Sequence, residues 1–141
     1  MPAVRQAVLS DAQEIARLLT QLGHPTSAAE VQALWPAWAA AGNDAWVVPR
    51  ADGTLAALAV LHRTHMLHRR RPVGRITALV VDEADRGAGL GRSLVAAAEA
   101  RLAGEGCELL EITSHRRLTE AHAFYEHLGY EYTSLRFARE L

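Results

Sequence analysis

The segment Arg86-Gly87-Ala88-Gly89-Leu90-Gly91-Arg92-Ser93 has the residue types and spacing to hold an anion. Glycine lets the backbone approach a ligand closely. The run Ile76-Thr77-Ala78-Leu79-Val80-Val81 just before it reads as a buried strand, and Ser93 to Glu99 reads as a helix. A helix start offers unpaired N–H groups and the positive end of a dipole. Arg86 and Arg92 flank the turn and can add charge-assisted hydrogen bonds to phosphate. The chemistry implied is a grip on a phosphorylated ligand. The plainer reading is an ordinary turn from strand to helix.

Two phosphate-binding patterns fit poorly. A Walker loop requires Gly-Lys-Ser/Thr, and the chain contains no lysine. A dinucleotide fingerprint requires Gly-x-Gly-x-x-Gly, whereas the spacing here is Gly87-x-Gly89-x-Gly91 with arginine at position 92.

The elements that must position this turn follow from periodicity. Ala3 to Val8 reads as a first strand, and Ser10 with Gln13 as a capping box for a helix striped by Ile15, Leu18, Leu19 and Leu22. Gly23 stops that helix. Ser27 and Glu30 form a second capping box, for a helix carrying Val31, Leu34, Trp35 and Trp38 that Pro36 kinks or restarts. Ala45–Pro49 and Thr54–His62 read as a hairpin about Ala51-Asp52-Gly53. Arg63 to Pro72 reads as a strand end and loop. After the apolar strand and the glycine turn, a helix to about Ala103 buries Leu90, Leu94, Ala98 and Leu102. Cys107–Thr113 is the next strand, Thr119 caps a last helix, and Tyr130 to Phe137 or beyond is the final strand. The order βααβββαβαβ is an α/β pattern, and the early hairpin makes the sheet mixed.

Composition sets outer limits. A chain of 141 residues suits one domain spanning 1–141. Half of it is hydrophobic and the net charge is −1, which favours neither nucleic acid nor an anionic membrane as partner. Cys107 is the only cysteine, so no internal disulfide can form and a reducing compartment fits. No membrane-length apolar run and no signal-peptide pattern occur, so the expected location is the cytoplasm.

The glycine turn resembles the Arg/Gln-x-x-Gly-x-Gly/Ala motif of the GCN5-related N-acetyltransferases, with Arg86, Gly89 and Gly91 at its fixed positions. A second stretch, Ala121-His122-Ala123-Phe124-Tyr125-Glu126-His127-Leu128-Gly129-Tyr130, is similar to that family's Ala-x-x-Phe-Tyr-x-x-x-Gly-Phe/Tyr segment. The element order matches along essentially the whole chain. The turn Leu22-Gly23-His24-Pro25-Thr26-Ser27 also resembles that of small bacterial members. The resemblance implies a mixed sheet of about six to seven strands flanked by about four helices. It implies transfer of an acetyl group from acetyl-coenzyme A to a primary amine within a ternary complex. It places the pyrophosphate on Arg86, Gly87, Ala88, Gly89, Leu90, Gly91, Arg92 and Ser93, and the pantetheine on a bulged strand around Leu79, Val80 and Val81. In relatives an asparagine precedes the second motif by three residues. Here that position is Leu118, which puts the pantetheine contacts in question.

Amide formation from a thioester needs a neutral amine, although an alkylamine has a pKa of about 10.4. It also needs a donor for the oxyanion and an acid for the leaving thiolate. The resemblance assigns the acid to Tyr125, whose competing reading is core packing beside Phe124 and Leu128. Relatives often carry a glutamate on the fourth strand, where this chain has Arg75 and Thr77. Glu111, His115 and His122 remain as bases, and His115 comes first because it is expected to end the fifth strand at the sheet's carboxyl edge. A base acting through water, or no dedicated base, is the alternative. His62, His65 and His68 would not share one face, so no metal is expected. Arg69-Arg70-Arg71 reads as a solvated loop, or as a contact for an acidic acceptor or the 3′-phosphate. The acceptor is a small-molecule or peptide amine, and Trp35, Trp38 and Trp46 leave a homodimer open. Two alternatives stand: another acyl group, or a silent acyl-coenzyme A sensor or interaction module of the same fold.

Overall fold

Leu55-Ala56-Ala57-Leu58-Ala59-Val60-Leu61 is an unbroken apolar run, and such runs suit strands covered on both faces. The computed structural model describes residues 3–141 and places this run in the middle of a sheet. Met1 and Pro2 of the expected single domain lie outside the described residues. The elements are β1 (Arg5–Gln6), α1 (Ala12–Leu22), α2 (Ala28–Ala40), β2 (Asn43–Pro49), β3 (Leu55–Thr64), β4 (Val73–Val81), α3 (Leu90–Gly104), β5 (Leu109–Ile112) and α4 (Thr119–His127). Short 3₁₀ turns occupy Leu9–Asp11 and Glu83–Asp85.

The five strands lie in sequence order, β1-β2-β3-β4-β5. The pairs from β1 to β4 are antiparallel, and β4 with β5 is parallel, because α3 makes the crossover between them. Period-two alternation splits β3 between two cores. Ala57, Ala59 and Leu61 meet Leu90, Leu94, Val95 and Ala98 of α3 on one face. Leu58 joins Val47, Val80 and the α1 residues Ile15 and Leu18 on the other.

The structure corrects several expectations. The described residues form five strands, not six to seven, because Tyr130–Phe137 makes no strand. Its β-prone residues find no partner for their backbone groups, and a strand without a partner is not held. The first strand shrinks to Arg5–Gln6. The Ser10–Gln13 box does not form. The Asp11 side chain makes no cap bond to α1 and instead holds the 3₁₀ turn before it, accepting from the Val8 N–H at 2.8 Å and from both terminal nitrogens of Arg5. Thr119 is the first residue of α4 and Leu118 holds the cap position, with no side-chain cap bond. The Ser27–Glu30 box forms as expected, with both bonds at 3.1 Å. Helix α2 runs on through Pro36.

Candidate functional site

The site is made by two strands that part. Strands β4 and β5 pair only from Val73↔Leu109 to Ile76↔Ile112. There β5 ends while β4 continues through Val81, so one edge of Thr77–Val81 faces an opening. A bulge sits at the same point. Leu61 pairs with Ile76 and Val60 with Ala78, which leaves Thr77 as the extra residue. Thr77 is exposed, and its hydroxyl donates to the Val60 carbonyl at 3.3 Å.

The direction of the free amides follows from one bond. The Asp82 N–H donates to Ala56 O on β3 at 2.8 Å. Backbone groups alternate sides along an antiparallel strand, so Val80 and Ala78 also face β3. Leu79 and Val81 therefore turn their backbone groups to the open edge. The Val81 carbonyl accepts from Arg86 Nε at 3.3 Å, as this direction requires.

Beyond β4 the chain turns through the glycine segment into α3. Gly89 stands at the cap position with φ of 80°, in the left-handed region that glycine tolerates best. No side chain caps the helix and no acidic residue lies in its first turn. Ser93 N–H donates to Gly89 O at 3.1 Å. The N–H groups of Leu90, Gly91 and Arg92 precede the first intrahelical bond, so they point out of the helix start. Arg86, Gly87, Ala88, Gly89 and Arg92 are exposed, Ser93 is half-buried, and Leu90 and Gly91 are buried.

Gly91 joins the two halves of the site. A Cβ there would lie 3.2 Å from Phe124 Cζ and 3.7 Å from Val81 Cγ2. The missing side chain lets α3 rest directly on the Phe124 ring, so the two distant sequence motifs are one contact in space. Tyr125 follows on α4. Its ring lies 5.5 Å from that of Phe124 and 6.5 Å from that of Tyr130. Burial pushes its hydroxyl pKa up, so it is protonated at neutral pH. That hydroxyl has no hydrogen-bond partner among the described residues. Among the described residues no buried side-chain oxygen is left unsatisfied, so the hydroxyl reaches open space.

The candidate bases fall differently from expectation. His115 does not end β5; it lies beyond Ile112 in an exposed turn. Its Nδ1 accepts from the Arg117 N–H at 3.2 Å, which puts the remaining proton of the neutral ring on Nε2. His122 Nε2 contacts the His115 carbonyl at 2.9 Å. Glu111 is paired across the sheet with Arg75, whose Nε lies 3.0 Å from its carboxylate. Leu118 N–H closes the His115 turn by donating to the His115 carbonyl at 2.9 Å. Among the other histidines, His62 Nδ1 bonds Asn43 Oδ1 at 2.9 Å. Arg69 lies in the loop before β4, 3.9 Å from Glu108.

Asp82 was not singled out in the sequence. It ends β4, is buried, and accepts from Arg17 at 2.9 Å, Arg50 at 3.0 Å and the Ala84 N–H at 3.3 Å. These bonds, with Arg50 first, hold its carboxyl well below the usual carboxylate range. They tie the root of the glycine turn to α1 and to the β2–β3 hairpin. The available signal was an acidic cluster, Asp82-Glu83-Ala84-Asp85, between an apolar strand and the turn.

A cavity of about 300 Å³ opens on the opposite face, between α1, α2 and the sheet. Ile15, Leu19, Val31, Trp35, Trp38 and Val60 line it, with Thr26 and Glu30 as polar members. The two tryptophan rings lie 4.7 Å apart.

Comparisons with known proteins show a family and a shared fold. The Acetyltransferase (GNAT) family matches residues 9–130. The aminoalkylphosphonate N-acetyltransferase of Salmonella typhimurium is 33% identical over 90 residues, which is 64% of this chain and 58% of that protein. The chain thus spans less than two thirds of that relative's length. An acetyltransferase of Trypanosoma brucei superposes with a TM-score of 0.86 at 27% identity, over 100% of both chains. Glucosamine-6-phosphate N-acetyltransferase of Arabidopsis thaliana shares the fold, with a TM-score of 0.85 at 22% identity over 99% of this chain and 98% of that one. With the family match running from the 3₁₀ turn before α1 to the residue that closes α4, this chain belongs to the GNAT family of acetyltransferases, which use acetyl-coenzyme A as co-substrate.

Proposed function

We propose that this protein acetylates a primary amine with acetyl-coenzyme A by direct transfer in a ternary complex. The observation that carries the proposal is the continuity of donors. The open-edge N–H groups of Leu79 and Val81 run on into the uncapped start of α3. Such a path suits an amide-rich chain ending in a pyrophosphate. On this reading Leu79 and Val81 bind the pantetheine through their backbones, with Val80 packing behind them. Arg86, Gly87, Ala88, Gly89, Leu90, Gly91, Arg92 and Ser93 wrap the pyrophosphate. A backbone N–H of the bulged strand receives the oxyanion. Tyr125 gives its proton to the leaving sulfur. Glu111 is held by Arg75, and the His115 Nδ1 lone pair is engaged, which favours water as the carrier of the amine proton.

The acceptor is read from the apolar cavity. Val60 lines it and pairs with Ala78, the residue after the bulge, so the cavity adjoins the proposed reaction centre. Among the described residues Glu30 is its one charged lining residue, and no cationic side chain lines it. The Salmonella relative acts on an aminoalkylphosphonate. A phosphonate calls for a cationic partner, so we read the acceptor here as an amine on an apolar or aromatic body.

Free thiol release tests both parts, with 2-phenylethylamine and aminomethylphosphonate as acceptors. We expect kcat/KM for the aromatic amine to exceed that for the phosphonate by about tenfold or more. The reverse order would overturn the acceptor assignment alone. No thiol with any amine, despite coenzyme A binding, would overturn the transfer. Faster release from a longer acyl-coenzyme A would replace acetyl with that group.

A further inference from the structure

The face of β3 that looks onto α1 and α2 ends in an imidazole. Leu58 packs there with Val80, and Val60 lines the cavity of about 300 Å³. Strand side chains alternate, so the next residue on this face is His62, which is half-buried. Its register partners are Asn43 on β2 and Arg75 on β4. Asn43 stands beside Ala45, another residue of the cavity wall, on the same face of β2. His62 and Asn43 therefore adjoin the cavity at one end.

Two bonds fix the protons of this ring. Asn43 Nδ2 donates to the Trp38 carbonyl at 2.9 Å, so the amide turns its oxygen to His62. An amide oxygen only accepts. His62 Nδ1 lies 2.9 Å from that oxygen and must carry a proton. In the neutral ring the lone pair is then left on Nε2, which has no hydrogen-bond partner among the described residues. His115 is the opposite case, with its Nδ1 lone pair engaged. The charged groups beside His62 on the sheet are Arg75 and, one strand further, Glu111. They pair with each other and leave the ring free.

We infer that His62 Nε2 takes up, through one water, the proton that the acceptor amine loses, and that Asn43 is its positioning residue. The inference rests on the acetyl transfer proposed above. Val60 pairs with Ala78, the residue after the bulge, and His62 lies two residues further, about 7 Å along β3. An imidazole and one bridging water span that distance. The amine lone pair forms the C–N bond to the thioester carbon. The C–S bond breaks, its electron pair leaves with the sulfur, and Tyr125 protonates the thiolate. The N–H electron pair returns to nitrogen, and the proton passes through water to Nε2. Solvent then takes that proton from His62 and returns one to Tyr125.

Two measurements on the full chain test this. Correlation of ¹⁵N and ¹H in the neutral His62 ring should show the proton on Nδ1 and a bare Nε2. In Asn43→Ala the ring loses its acceptor, so the proton should move toward Nε2 and kcat should fall while coenzyme A affinity holds. Thiol release at saturating acetyl-coenzyme A is the second measurement. His62→Gln keeps a donor for the Asn43 oxygen but has no basic nitrogen. Its unfolding temperature and coenzyme A affinity should match wild type, while kcat falls about 10²-fold or more. In His62→Ala, added imidazole should restore kcat by about tenfold or more without accelerating wild type. A kcat that His62→Gln leaves within about twofold, a wild-type ring protonated on Nε2, or an alanine variant that imidazole does not restore would each overturn the inference and leave the transfer standing. No thiol from wild type with any amine would overturn the transfer and the inference together.

Discussion

Tyr125→Phe is the sharpest probe of the proposed chemistry, because it removes one oxygen and leaves the ring. The ring packs on Phe124 and Tyr130, and the hydroxyl has no partner among the described residues. Stability should therefore stay within about 0.5 kcal/mol of wild type, the range for changes that break no contact. Coenzyme A affinity should also hold, since the proposed pyrophosphate contacts lie on the glycine turn and the start of α3, away from the Tyr125 hydroxyl. Turnover should not. A positioned acid contributes about 10²–10⁴-fold, which is about 2.7–5.4 kcal/mol at the barrier. Burial raises the Tyr125 pKa, so the acid form is present below it and is lost as pH rises through it. The neutral amine grows more abundant as pH rises, so the wild-type rate should climb through neutral pH and fall only in strong alkali as the acid form is lost, and that falling limb should vanish in the variant. Thiol release at saturating amine across pH is the assay. A kcat within twofold of wild type, with the alkaline limb intact, would refute the assignment.

Other substitutions test the supports. In Gly91→Ala the new Cβ meets Phe124 at 3.2 Å, so overpacking should cost about 1–3 kcal/mol, read by thermal unfolding, and weaken coenzyme A binding in calorimetry. Asp82→Asn removes the charge shared by Arg17 and Arg50, and these partly exposed partners limit the loss to about 1–2 kcal/mol. The folded pKa of Asp82 is depressed, so its stabilisation is full above the ordinary value of about 3.9 and fades as pH falls toward the folded one. The gap between wild type and Asp82→Asn in urea unfolding should therefore be wide at pH 7 and narrow below about pH 4. His115→Ala should leave kcat within about twofold and the pH profile unmoved, because its Nδ1 is already engaged. A loss beyond tenfold would restore His115 as the base.

Much of the fold was legible because its signals are local. The apolar run of β3, the Ser27–Glu30 box, Gly23 at the end of α1 and the turn at Asp52-Gly53 each depend on residues a few positions apart. The missing final strand was not legible. Tyr130–Phe137 has strand composition, but a strand forms only where a partner offers its edge, and no local pattern reports that. Ser10 and Asp11 show a similar limit. Both residue types can cap a helix, yet neither side chain caps α1, because the Asp11 carboxylate turns back to the Val8 N–H and to Arg5 on a neighbouring strand.

For the site, the sequence alone carried the residues of the proposed cofactor cradle: glycines where the turn and the α3–Phe124 contact need them, arginines beside it, and a tyrosine on the downstream helix. These properties belong to residue types at fixed spacing, so one dimension suffices to write them. The tertiary structure decided what the cradle opens onto. It set the bulge at Thr77, the parting of β4 and β5 after Ile76, the Asp82 anchor and the pairing of Glu111 with Arg75. Each is a relation between residues far apart in the chain. Register, burial and charge pairing arise only when those segments meet, which is why spacing along the sequence could not contain them.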